Sequence, residues 1–148
     1  MSTELIPLLR QLNLQLEQCG RAQMQPLGLS TSEGLTLCYL LRHSESDLCA
    51  AQLHERLGVS KAALSATLKS LCRKGYLERA VFPDDDRKKR ILLTPRAQQL
   101  RHRVEEQMTG HSIALCRGIP PGELDAAERV LDALLHNLRE FNTGRKTI

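Results

Sequence analysis

A mainly α fold with one small β-hairpin is predicted by three observations. Apolar residues recur at helical spacing near both ends of the chain. Two short helical patterns in the middle are joined by a tight glycine turn. A strand–turn–strand pattern with a charged tip follows them directly. The 148 residues suit one ordinary domain and suffice to bury a core.

The first helix is expected over about Thr3 to Gln25, where Leu5, Leu8, Leu9, Leu12 and Leu16 share a face. Pro26 and Gly28 stop it. Ser30-Thr31-Ser32-Glu33 fits a capping box, so a second helix starts at Ser30 and ends near His43. A polar loop, Ser44-Glu45-Ser46, and a very short strand at Leu48 come next. A third helix covers about Ala50 to Leu57, and Gly58 supplies the left-handed conformation that stops it. Ser60 caps a fourth helix, about Lys61 to Lys74, closed by Gly75.

Tyr76 to Phe82 carries strand residues, Pro83-Asp84-Asp85-Asp86 is turn chemistry, and Lys89 to Leu93 is the return strand. Thr94-Pro95 opens a helix that reaches Cys116, with Gly110 as its weak point. Pro120-Pro121-Gly122 separates it from a last helix, about Glu123 to Phe141, and the tail from Asn142 is expected to fray. The segments are therefore 1–29, 30–94 and 95–148.

Two helices joined as tightly as those around Gly58 form a helix-turn-helix, which sets its second helix into a DNA major groove. Ala51 is expected where the two helices cross closely, with Val59 plugging the core beneath the turn. At 100° per residue, Leu68 and Leu71 fall near Leu64 on the buried face of the fourth helix. Ala62, Ala66, Lys69 and Arg73 point away, with Ser65 at the border. Small residues permit close approach to bases, Ala can touch a thymine methyl, and Ser or Lys can reach base edges. Arg73, in the last turn, is better placed for phosphate.

Charge agrees. The net charge is only +4, but Ser60 to Arg90 holds nine Lys/Arg against four Asp/Glu, a local surplus of five. Read alone, such a face is also an ordinary solvated surface, and the fourth helix an ordinary amphipathic one. An Arg on a protruding hairpin can enter a narrow minor groove, and an acid two positions earlier can orient it.

The run from Val59 to Arg79 resembles the recognition helix of the MarR family and its exit into the wing. Asp85-Asp86-Arg87, seven residues before Leu93-Thr94, is similar to that family's Asp-x-Arg wing motif followed by Leu-Thr. The resemblance runs from about Leu5 to Phe141. It implies a winged helix-turn-helix with N- and C-terminal dimerisation helices: a homodimeric, sequence-specific regulator of transcription. Its recognition helices would lie in the major groove of a pseudo-palindromic operator on double-stranded DNA, and its wings in the minor groove. The DNA-binding set is then Ser60, Lys61, Ala62, Ser65, Ala66, Lys69, Arg73, Asp85, Arg87, Lys88 and Lys89. Arg87 would enter the minor groove, Asp85 would brace it, and Lys88 and Lys89 would meet phosphate. Two positions depart from the family pattern: Cys49 stands where Ser or Thr usually caps, and Ala62 and Ala66 replace the large polar readers common there. A winged-helix module that binds protein without specific DNA binding is the alternative.

Control in that family commonly comes from a small ligand bound between the dimer helices and the DNA-binding lobe, which implies a repressor released by a small-molecule effector. With only Tyr39, Tyr76, Phe82 and Phe141 as aromatics, an aliphatic or amphipathic effector is easier to hold than a planar one. Oxidation is the second scheme, with Cys19 as the candidate redox sensor, since Arg21 nearby favours a thiolate. The five cysteines are odd in number and contain no Cys-x-x-Cys, so neither a disulfide framework nor a zinc site is expected. The histidines are scattered; His102 and Glu106 share a helix face, but two ligands do not make a site. No phosphate loop or nucleophile elbow occurs, so no metal, no cofactor and no enzyme activity is expected. Met1-Ser2-Thr3-Glu4 lacks signal-peptide features and no run nears the roughly 20 apolar residues of a membrane span, so a cytoplasmic protein is expected.

Overall fold

The computed structural model describes residues 4–44, 49–82 and 85–145, with 81–82 and 85–89 described by backbone alone. The expected strand at Leu48 and the loop residues Glu45 and Ser46 lie outside the described residues. In chain order the elements are α1 (Leu5–Met24), a 3-10 turn (Gln25–Leu27), α2 (Thr31–Arg42), α3 (Ala50–Leu57), α4 (Lys61–Arg73), β1 (Leu77–Phe82), β2 (Asp85–Leu93), α5 (Pro95–Cys116) and α6 (Pro121–Arg145). The chain divides into two compact units, Met1–His111 and Ser112–Ile148.

In the first unit, α4 packs on α2 and α3, and α1 packs on α2. Leu37, Leu41, Leu53, Leu64, Leu68, Leu71 and Val104 are fully buried at its centre. The crossing of α1 and α2 depends on missing side chains. A Cβ at Gly34 would overlap the Met24 side chain, and one at Gly20 would lie 2.9 Å from the Thr31 methyl. Ala51, by contrast, is exposed. The short α3 turns Leu53 into the core, and a residue two positions earlier lies about 200° round the helix, so Ala51 stands off the buried face rather than within a close crossing.

The local signals act as their chemistry dictates. Ser30 Oγ accepts from the Glu33 N–H at 3.1 Å, and Glu33 Oε1 accepts from the Ser30 N–H at 3.2 Å, a complete capping box. Gly58 stops α3 at φ +66°, a conformation L side chains rarely adopt. At Cys49 the partner is the side chain of Gln52, whose Oε1 accepts from the Cys49 N–H at 3.3 Å. Thr94 Oγ1 accepts from the Ala97 N–H at 3.3 Å and donates to the Gly75 carbonyl at 2.6 Å, which ties the start of α5 to the end of the α4 turn.

Two boundaries differ from expectation. The return strand starts at Asp85 rather than Lys89, because Phe82 pairs with Asp85 and leaves a two-residue connection. The register then passes from Phe82↔Asp85 to Val81↔Lys89, so β2 accommodates Asp86, Arg87 and Lys88 against a single step of β1 as a bulge. The last helix runs from Pro121 to Arg145, beyond Phe141 into the stretch expected to fray. The Arg145 guanidinium lies 4.8 Å from the Phe141 ring centre within that final turn. In the second unit, Gly118 reverses the chain at φ +78° before α6, which has no buried residue of its own. Helix α5 continues through Gly110.

Candidate nucleic-acid interface

The α3–turn–α4 unit presents one face of α4 to solvent. Ser60 Oγ caps that helix by accepting from the Ala63 N–H at 3.1 Å, which occupies the hydroxyl as an acceptor and leaves its proton to donate. Leu64, Leu68 and Leu71 hold the inner face at 2%, 0% and 0% exposure. Lys61, Ala62, Ala66, Lys69 and Arg73 are exposed, and Ser65 is half-buried at the border. This is the sorting that the helical period predicts.

The wing adds to this face through β1. An open groove of about 530 Å³ is lined by Ala66, Lys69, Cys72, Arg73 and Arg79. A second hollow, about 240 Å³, is lined by Ala50, Ala51, Lys61, Leu64, Ser65 and Arg79. Among the described residues no carboxylate lines either one, so that lining is cationic with small, largely apolar walls. Ala50, Ala51 and Arg79 are the members that the helical period of α4 could not supply. Strand alternation from Leu77 is the signal that finds Arg79. Of the wing residues, Asp85, Arg87, Lys88 and Lys89 are placed on β2 by backbone, with Arg87 in the middle of the bulge; their side chains lie outside the described residues.

Lys74 leaves the cationic set. Its Nζ donates to the Gly28 carbonyl at 2.9 Å and to Glu33 Oε1 at 3.0 Å, and lies 2.8 Å from Glu33 Oε2. Ser70 Oγ donates to Glu33 Oε2 at 3.4 Å. The Glu33 carboxylate, buried at the start of α2, thus clasps the C-terminal end of α4. Burial pushes the Glu33 carboxyl up, but the Lys74 ammonium and the Ser30 N–H and hydroxyl outweigh it and hold the group below the usual carboxylate range.

A depressed folded-state pKa gives stability that is full above the unfolded value, about 4.3, and is lost as pH falls through the lower folded value. Glu33→Gln is therefore expected to lower stability at pH 7 by roughly 1–2 kcal/mol, a modest loss because the Lys74 side is partly open to water. Thermal melts of both proteins at pH 7 and pH 3 check this. The gap should narrow in acid, and an equal gap at both pH values would mean that the charge on Glu33 does not hold the clasp.

The thiols and histidines are less organised than this clasp. Cys19 is half-buried on α1, and all five cysteines are free thiols. Cys38 is buried, and that burial pushes its thiol up despite the nearby Arg42, which makes it a poor nucleophile. His102 pairs with Glu106 at 3.1 Å on the exposed face of α5. Among the described residues no group of three or more His, Cys, Asp or Glu could hold a metal ion. No described helix is long and apolar enough to cross a membrane.

A helix-turn-helix whose second helix runs into a two-stranded antiparallel hairpin defines a winged helix-turn-helix fold. Residues 27–88 match the family model described as the MarR family, which bears out the resemblance read in the sequence. Solved structures agree on the fold. A MarR-family transcriptional regulator from Silicibacter pomeroyi is 27% identical, with 88% of this chain and 86% of that chain covered and a TM-score of 0.73. The transcription regulator MarR from Oenococcus oeni PSU-1 is 20% identical over 89% of this chain and 98% of that chain, with a TM-score of 0.81. MepR of S. aureus, solved as a complex with DNA, is 22% identical over 93% of this chain and 98% of that chain, with a TM-score of 0.79.

Proposed function

We propose that this chain is a cytoplasmic, non-enzymatic transcription regulator that binds duplex DNA as a homodimer. Helix α4 enters the major groove of each half-site, and the β1–β2 wing reaches the neighbouring minor groove. One observation carries the reading: the exposed face of α4 combines small residues at Ala62 and Ala66 with the cations Lys61, Lys69 and Arg73, and among the described residues no acid lines the hollows beside it. Small residues bring the backbone close to base edges, and the cations release counterions from phosphate. The DNA complex of the similarly folded MepR supports the same reading.

The dimer follows from apolar faces that the single chain leaves open. Leu5, Leu8 and Leu12 on α1, and Val130, Leu131, Leu135, Leu138 and Phe141 on α6, are each 40–58% exposed. A second copy of the chain covers such faces and sets two recognition helices about one helical turn apart on a pseudo-palindromic operator. Repression by occlusion, relieved by an aliphatic or amphipathic effector, completes the proposal. Under oxidation at Cys19 instead, Cys19→Ser would stay on the operator in peroxide while the parent releases.

The deciding experiment is a gel shift on the DNA upstream of the protein's own gene against a scrambled duplex, over a range of salt. Specific, salt-dependent retention supports the proposal. Equal, weak binding of both duplexes at physiological salt would instead favour a protein-interaction module.

Lys69 and Arg73 should separate in the same assay. Arg73→Ala is expected to weaken both duplexes alike and to lower the salt slope by about one unit. Lys69→Ala should in addition change base preference, because it stands mid-helix beside Ala66. Matching profiles for the two variants on both duplexes would remove the distinction.

A further inference from the structure

We propose that Arg79, outside the recognition helix and outside the wing tip, is a DNA-backbone contact that joins the two. The inference rests on the DNA-binding reading above and extends it to a residue on β1. Three observations carry it.

The first is register. Leu77↔Leu93, Arg79↔Ile91 and Val81↔Lys89 are directly opposite pairs, so by strand alternation positions 77, 79 and 81 share one face of the hairpin. Leu77 on that face is buried, and Ile91, opposite Arg79, packs against the core. Arg79 therefore stands on the side of the wing that faces the body of the unit, while remaining exposed itself.

The second is position. Arg79 is shared by both hollows on this face: the groove with Lys69, Cys72 and Arg73, and the smaller one with Lys61 and Ser65. These hollows lie beside α4, and among the described residues Arg79 is the wing residue that lines each.

The third is the sorting of cations by partner. Lys74 is held by Glu33 and the Gly28 carbonyl. Arg101 donates to the Leu41 carbonyl at 3.0 Å, Arg56 donates to the Tyr39 hydroxyl at 3.0 Å, and Arg96 lies 5.0 Å from the Tyr76 ring centre. Those four brace the fold. The side chains of Lys61, Lys69, Arg73 and Arg79 have no hydrogen bond, ion pair or ring contact among the described residues, and all four line the two hollows. Four cations along one face, with no acid among the described residues that line its hollows, match a polyanion, and the planar guanidinium fork suits a phosphate. Because Arg79 is on the hairpin rather than on α4, its phosphate contact fixes where the wing sits relative to the recognition helix.

The test uses the full chain and fluorescently labelled specific and scrambled duplexes titrated across salt. Arg79→Ala is expected to weaken both about equally, by roughly tenfold, and to lower the salt slope by about one unit. Arg79→Lys, which keeps the charge, should restore the slope. If Arg79→Ala melts early, Arg79→Gln, which keeps most of the stem, carries the test; a purely structural role would not lower the salt slope. Parent-like affinity and slope in the neutral variant would overturn the assignment of Arg79 alone. Loss confined to the specific duplex would overturn the backbone assignment in favour of base or shape reading. A parent protein without salt-dependent DNA binding would overturn the DNA-binding reading together with this one.

Discussion

Leu68→Ala is expected to cost about 2–5 kcal/mol of stability, the range for emptying a buried leucine site. Leu68 has 0% exposure and sits between Leu64 and Leu71 on the inner face of α4, where the helix packs on α2 and α3. The lost methyl groups leave a cavity that three packed helices cannot close without moving α4 itself. At about 2–4 °C per kcal/mol for a chain of this size, the melting temperature should fall by roughly 10 °C. Lys69→Ala, one residue on but exposed, should stay within about 0.5 kcal/mol of the parent. Thermal or urea unfolding of the two variants side by side checks both statements. Equal melts would mean that α4 is not anchored by this face.

The second large effect concerns assembly. Leu131 and Leu135, four residues apart on α6, are 41% and 50% exposed. The double variant Leu131→Asp/Leu135→Asp places two charges where a second copy is expected to dock, and a buried unpaired charge is not tolerated. The variant should sediment as a monomer and keep its helical content. Specific DNA affinity should drop by about 10²- to 10⁴-fold, because the second recognition helix no longer binds as part of the same molecule. A parent protein that sediments as a stable monomer at micromolar concentration would sink the dimer and this prediction with it.

Much of the molecule was legible in the sequence because its signals are local. The Ser30–Glu33 box, the left-handed Gly58 and the Thr94–Pro95 start each act within a few residues, and each marks its boundary. The faces of α4 follow from periodicity alone. What was missed depends on partners distant in sequence. Glu33 reads as a capping residue, yet it also binds Lys74, 41 residues away, which removes a cation from the apparent DNA-facing set. Asp85 and Asp86 read as turn residues, and only the pairing of Asp85 with Phe82 on β1 starts the strand there, with Asp86 in its bulge. Ala51 reads as a small residue at the α3–α4 crossing, whereas it is exposed; the close approach that needs missing side chains is that of α1 and α2, at Gly20 and Gly34. The α6 extension to Arg145 passes through Asn142, Thr143 and Gly144, at a chain end expected to fray from its position alone.

The Glu33–Lys74 clasp also makes α4 a lever. It grips the helix at its C-terminal end, and the 13 residues from Lys61 to Arg73 span about 20 Å at the usual rise. On the proposed DNA-binding reading the opposite end, here Ser60 and Lys61, is the one that would meet base edges. Pivoting α4 by about 10° at the clasp sweeps that end through roughly 3 Å, close to the spacing of adjacent base pairs along DNA. On the proposed DNA-binding reading, leverage of this kind would carry the reading end about one base step out of register, with the buried Leu64 moving further than Leu71 beside the clasp.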